Sequence, residues 1–114
     1  PVALLLFGVL GHVEDYDEAV SIVRRLQARL PSGSYFVQCD GTPTSEAYVQ
    51  AIESYRNSGG VPYNLRTEEQ ISRYYDGLEL VEPGLVPIPQ WRQDPAGAGV
   101  PAEVDQFGGV GRKP

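Results

Sequence analysis

The sequence predicts an α/β fold built on parallel strands, and three observations carry that reading. The chain opens on an almost uninterrupted apolar run, Pro1 to Leu10. An amphipathic helical pattern and a second apolar run, Ser34 to Cys39, follow in turn. A glycine-rich segment, Phe107 to Arg112, comes near the end. Strand, helix and strand in that order make a βαβ unit whose two strands lie parallel. The 114 residues, 41% hydrophobic and 21% charged with 13 Gly and 10 Pro, exclude collagen, coiled coil and full disorder and leave room for one domain.

The first run reads as a strand buried on both faces, of the kind found inside parallel sheets covered by helices on each side. Such a strand needs neighbours on both sides, and the rest of the sequence offers them on one. The expectation is therefore the second half of a larger domain. Asp15 can cap a helix with Glu18 at its third position, and Ala19, Ile22, Val23, Leu26 and Leu30 recur at helical spacing, with Arg24, Arg25 and Arg29 on the wet side. Pro31-Ser32-Gly33 ends it and leads into the second strand. Asp40-Gly41-Thr42-Pro43 reads as a loop. A helix follows from about Ser45, with Tyr48, Ala51, Ile52 and Tyr55 on one face, and dissolves at Asn57-Ser58-Gly59-Gly60.

After an irregular stretch from Val61 to Arg66, Thr67 and Gln70 make a capping box for a short helix that turns Ile71, Tyr74 and Tyr75 inward and stops at Gly77. Leu78–Val81 and Leu85–Trp91 are strand material broken at Pro83-Gly84, off the centre of a sheet or in a bent strand. The Pro, Ala and Gly content from Asp94 to Pro101 marks a mobile loop before the last strand.

Fifteen acidic against nine basic residues give a net charge of -6, which disfavours binding to a nucleic-acid backbone. A lone cysteine, Cys39, cannot form an internal disulfide, and no apolar run is long enough to cross a bilayer. These features point to a soluble protein of a reducing compartment, the cytoplasm, with no membrane partner.

Several residues sharpen the reading. Val9-Leu10-Gly11-His12-Val13-Glu14-Asp15 resembles the V-L-x-H-V-x-D segment that follows the fourth strand in many class I S-adenosylmethionine-dependent methyltransferases. Leu30-Pro31-Ser32-Gly33-Ser34-Tyr35-Phe36-Val37 resembles their L-x-P-G-G turn, with Ser32-Gly33-Ser34 departing from the double glycine. Through Tyr74–Val86 and Gly108–Pro114 the chain is similar to one bacterial family, known simply as S-adenosyl methyltransferases and formerly a domain of unknown function. The resemblance covers essentially all 114 residues. It implies the C-terminal half of a Rossmann-like methyltransferase fold, with parallel strands and a final antiparallel one.

It further implies S-adenosylmethionine as cofactor, a small-molecule acceptor, and contact with the cofactor through Gly8, Val9 and Leu10. The usual glycine-rich turn and acidic residue of the cofactor site lie in the first half of this fold. Gly108-Gly109-Val110-Gly111 does not replace that turn, because a cradling loop must run from a strand into a helix N-terminus.

His12, the single histidine, lies just past a strand's C-terminal end, where open α/β sheets place their ligand crevice. The resemblance implies that it faces the methyl donor or acceptor, as the candidate to take a proton from an attacking oxygen or nitrogen; the alternative is a histidine that only orders the turn. Gly11, Tyr16, Asp40 and Tyr63 are the candidate acceptor contacts, although an Asx turn would also explain Asp40. Glu14, Asp15, Asp17 and Glu18 suit a helix N-terminus better than a metal site, so no metal is expected. Cys39 reads as a small core hydrophobe, Trp91 as a cover for the sheet edge, and Arg112 and Lys113 as solvated cations.

Two other readings compete. One is a non-catalytic Rossmann-like binding or scaffolding module, the other a nicotinamide-dependent oxidoreductase half. For the chain by itself, an unpaired apolar first strand predicts aggregation or pairing into a homodimer through that edge.

Overall fold

In the computed structural model, which describes residues 1–92 and 104–114, the opening run forms a shorter strand than expected, β1 (Ala3–Phe7). Gly8 turns the chain with φ +66, a left-handed value that glycine adopts without steric cost. Leu10–His12 then form one 3-10 turn. The strand is not buried on both faces. Side chains alternate across a strand, so Leu4 and Leu6 pack on the core while Leu5 and Phe7, 54% and 57% exposed, face outward. Among the described residues only one strand pairs with β1, which makes it an edge.

Helix α1 (Tyr16–Ala28) starts where Asp15 accepts a bond from the Asp17 N–H at 3.0 Å. Its buried line is Ala19, Val23 and Gln27, rotated from the expected one, which leaves Leu26 exposed. The rotation follows from what packs beside it. Gln27 donates from Nε2 to the Tyr74 carbonyl at 2.7 Å, and Arg24, expected on the wet side, donates to the carbonyls of Arg73 and Asp76.

Strand β2 (Tyr35–Gly41) runs two residues further than the sequence indicated, so Asp40 is strand and not loop. It pairs in parallel with β1 from Ala3↔Tyr35 to Phe7↔Cys39. Its other side pairs along its whole length with the last strand, antiparallel, from Tyr35↔Arg112 to Gly41↔Gln106. That partnership is what prolongs β2 past Cys39.

Helix α2 (Glu46–Asn57) is capped by Ser45, whose Oγ accepts from the Tyr48 N–H at 3.2 Å. None of its residues is buried; Tyr48, Val49 and Ile52 are half-buried, and Ala51 and Tyr55, expected inside, are exposed. Helix α3 (Glu68–Ser72) carries the Thr67–Gln70 capping box with both reciprocal bonds formed. Ile71, Tyr74 and Tyr75 enter the core with Leu10, Ala19, Val23 and Phe36. Gly77 ends the segment at φ +81.

The two broken apolar stretches yield only β3 (Glu79–Leu80) and β4 (Val86–Pro87), both antiparallel to β5 (Gln106–Arg112). The sheet order is β1-β2-β5-β3, with β4 also on β5. A Cβ on Gly108 would stand 2.9 Å from the Gln38 carbonyl oxygen, and one on Gly111 2.8 Å from a Leu78 methyl. These glycines therefore serve close packing within the sheet. The loop expected from Asp94 to Pro101 lies outside the described residues.

Candidate functional site

The carboxyl ends of β1 and β2 lie side by side, and the irregular segment 61–66 crosses both. Asp40 holds the three pieces together. It is 1% exposed; its Oδ1 accepts from the Gly11 N–H at 3.1 Å and from the Tyr63 hydroxyl at 2.7 Å. Its Oδ2 accepts from Gln38 Nε2 at 2.7 Å, and Gln38 Oε1 in turn accepts from the Tyr75 hydroxyl at 2.7 Å. The Tyr63 oxygen also accepts from the Gly41 N–H at 2.9 Å. A buried carboxylate is tolerated when such donors surround it.

Burial pushes the Tyr63 phenol far above its ordinary range; the Gly41 N–H works against that rise and the Asp40 carboxylate adds to it. Tyr63 is therefore a proton donor at any physiological pH. Its ring meets His12 edge-on, with centroids 5.1 Å apart. His12 itself is exposed, and its Nδ1 lies 2.9 Å from the Pro62 carbonyl oxygen.

Of the residues singled out from the sequence, Gly11, His12, Asp40 and Tyr63 thus converge. Gly8 and Val9 lie at the adjoining strand end: a Cβ on Gly8 would meet nothing within 4 Å, and Val9 is exposed. Leu10 belongs to the core, so only its backbone is available to a ligand. Tyr16 is the first residue of α1, not a loop residue, and its hydroxyl donates to the Gln70 carbonyl at 2.6 Å, which ties α1 to α3. Asp40 makes no Asx turn, since its carboxylate is spent on Gly11, Tyr63 and Gln38.

The acidic run acts locally: Asp15 caps α1, and Glu18 reaches Arg25 at 3.7 Å. Among the described residues no three His, Cys, Asp or Glu side chains gather as metal ligands. Cys39 and Trp91 line an apolar cleft of about 410 Å³ with Phe7, Val37 and Ile88, where burial raises the thiol's pKa. Trp91 thus faces the surface of the sheet, across Val37, Cys39 and the β5 residues Gly108 to Val110. Arg112 pairs with Glu79 at 3.6 Å, and Lys113 donates to the Gln27 carbonyl at 2.8 Å near the C-terminal end of α1, a favourable place for a cation.

Residues not foreseen complete the site. Asn64 bonds the Gly11 carbonyl through its backbone N–H at 2.6 Å and through Nδ2 at 3.1 Å. Arg66, 3% exposed, donates to the Asn64 and Val13 carbonyls at 2.8 and 2.6 Å. A buried arginine between Leu65 and Thr67 has no local sequence signature that separates it from a solvated one.

The family described as S-adenosyl methyltransferase matches residues 1–114. A DUF574 family protein from Streptomyces avermitilis is 39% identical and superposes with a TM-score of 0.89 over 100% of this chain and 45% of its own. A putative methyltransferase from Thermobifida fusca is 28% identical, with a TM-score of 0.83 over 99% of this chain and 43% of its own. The chain thus spans less than half the length of either structure. None of the curated proteins matches it. With these likenesses the mixed sheet is part of a Rossmann-like fold. Among the described residues no helix is long and apolar enough to cross a membrane.

Proposed function

The chain belongs to the S-adenosyl methyltransferase family, and on that premise we propose that the full-length protein transfers a methyl group from S-adenosylmethionine to a small-molecule acceptor. The observation that carries the reading is the exposed imidazole of His12 at the carboxyl end of β1, where sheets of this kind bind ligands.

The residues present fit one wall of a cofactor site. Gly8 and Val9 offer open backbone and an exposed apolar side chain. The remainder of the cradle is assigned outside this chain: Asp40 has its carboxylate committed inward, and the β5 glycines are filled against by Gln38 and Leu78. The 114 residues are accordingly read as the C-terminal half of one methyltransferase domain, working in the cytoplasm.

The cofactor supplies an electrophilic methyl carbon on a sulfonium. Transfer from such a centre depends mainly on alignment. His12 would take the proton of the acceptor's O–H or N–H on its free imidazole nitrogen. Gly11 and Tyr63, locked through Asp40, keep the turn that carries His12 in place.

Calorimetry on the full-length protein should show binding of S-adenosylmethionine or its demethylated product, with none appreciable for the 114-residue chain. Replacement of His12 by Ala should lower turnover more than cofactor affinity. Tight cofactor binding by the short chain would overturn the assignment of the cradle, and unchanged turnover would remove His12 from the chemistry.

A further inference from the structure

We infer that the 61–66 segment holds His12 in the Nδ1–H tautomer with Nε2 as its free basic nitrogen, and that Tyr63 is a positioning residue for that ring instead of an acceptor contact. The inference rests on the reading of His12 as proton acceptor and extends it to the question of which nitrogen acts. A carbonyl oxygen only accepts hydrogen bonds. With Nδ1 2.9 Å from the Pro62 oxygen, a normal N–H···O separation, the proton between them belongs to Nδ1. A neutral imidazole carries one N–H, so Nε2 keeps its lone pair.

The Pro62 carbonyl can impose this choice because its surroundings are fixed on every side. Tyr63 is held by Asp40 and the Gly41 N–H. Asn64 is held twice by the Gly11 carbonyl. Arg56 donates to the Tyr63 carbonyl at 3.3 Å and to Asn64 Oδ1 at 3.1 Å. The segment that orients the ring is therefore bonded to Gly11, the residue immediately before His12. A Cβ at Gly11 would overlap the Tyr63 ring, so this close approach requires glycine. Since the Tyr63 hydroxyl has both its donor and an acceptor position in use, its remaining contribution is the ring edge against His12.

The test is a nitrogen-15 NMR spectrum of the full-length protein labelled with 15N-histidine, recorded in alkaline buffer, with His12→Asn used for assignment. The expected result is about a tenfold excess of the Nδ1–H form, the scale set by one net hydrogen bond. In Tyr63→Phe, which keeps the ring and loses the bond to Asp40, the two nitrogens should move toward averaged shifts. Asn64→Ala spares the Tyr63–Asp40 pair and should move them the same way, which covers the case of a poorly folded Tyr63 variant. An Nε2–H or averaged wild-type spectrum overturns the inference, as do wild-type shifts retained in both variants. If the Nδ1–H form is found while His12→Ala leaves turnover unchanged, the clamp stands and the catalytic reading falls.

Discussion

The Tyr63 hydroxyl and the Asp40 carboxylate meet at 2.7 Å, and this one bond joins the segment crossing the sheet to the last turn of strand beneath it. Because the same Oδ1 also receives the Gly11 N–H, the pair couples the His12 turn to both. Hydrogen bonds to a charged group contribute about 1.5–3 kcal/mol. Asp40→Asn should destabilise the protein by about that amount, since its amide nitrogen would present donors either to the donor of Gln38 or, turned over, to those of Tyr63 and Gly11. Tyr63→Phe should cost less, and the double mutant should show a coupling of about 0.5 kcal/mol or more. Urea denaturation of the four proteins measures it, and strict additivity would show that the pair is not acting as a unit.

Tyr74 is fully buried, and its hydroxyl has no hydrogen-bond partner among the described residues. An unsatisfied buried hydroxyl carries a desolvation cost, so Tyr74→Phe should stabilise by about 1 kcal/mol. Burial pushes the Tyr74 phenol from 10.0 up to about 12, and Tyr75 rises for the same first reason. A folded-state pKa raised above the unfolded one means stability is whole below pH 10.0 and falls as pH climbs toward 12. Stability measured across that alkaline window should decline less steeply in Tyr74→Phe. A destabilised variant with an unchanged slope would contradict the argument.

How far the sequence foretold this depends on the range of each interaction. The Thr67–Gln70 box was legible because both of its bonds lie within one turn of helix. The last strand was legible from its glycines. The buried face of α1 was not, because Gln27 became internal only by finding the Tyr74 carbonyl far along the chain. Likewise Asp40 looked like a turn residue until β5 extended β2 through Gly41↔Gln106. At the site, side chains of distinctive chemistry such as His12 could be named in advance. The Pro62 carbonyl that orients it could not, since every residue carries the same backbone oxygen.

Arg66 is buried beneath the site with the Asn64 and Val13 carbonyls as acceptors, and its guanidinium stands 5.7 Å from the centre of the Tyr16 ring. A planar fork reaches two carbonyls at once, which a single ammonium does not reproduce. Arg66→Lys should therefore destabilise by about 1.5–3 kcal/mol, the range for hydrogen bonds to charged groups. It should also speed hydrogen exchange at the Asn64 amide, whose bond to Gly11 depends on the same segment. Unaltered exchange and an unchanged melting temperature would make Arg66 dispensable.

The outer surface of β1 makes the last prediction. Val2, Leu5 and Phe7 are exposed together with Tyr35 on the neighbouring strand, and among the described residues the far edge of β1 pairs with nothing. An apolar edge strand with open N–H and C=O groups invites a second chain to add to it, and a contiguous apolar patch beside it adds a hydrophobic driving force. The 114-residue chain should therefore self-associate, as a dimer through β1 or as larger aggregates. Leu5→Lys combined with Phe7→Lys should suppress this at little cost to the fold, because both side chains point away from Leu4, Leu6 and the core. Size-exclusion chromatography with light scattering measures both proteins. A monodisperse wild-type species of 12.5 kDa that melts in one cooperative transition would defeat the prediction, because the exposed strand would then have proved no liability.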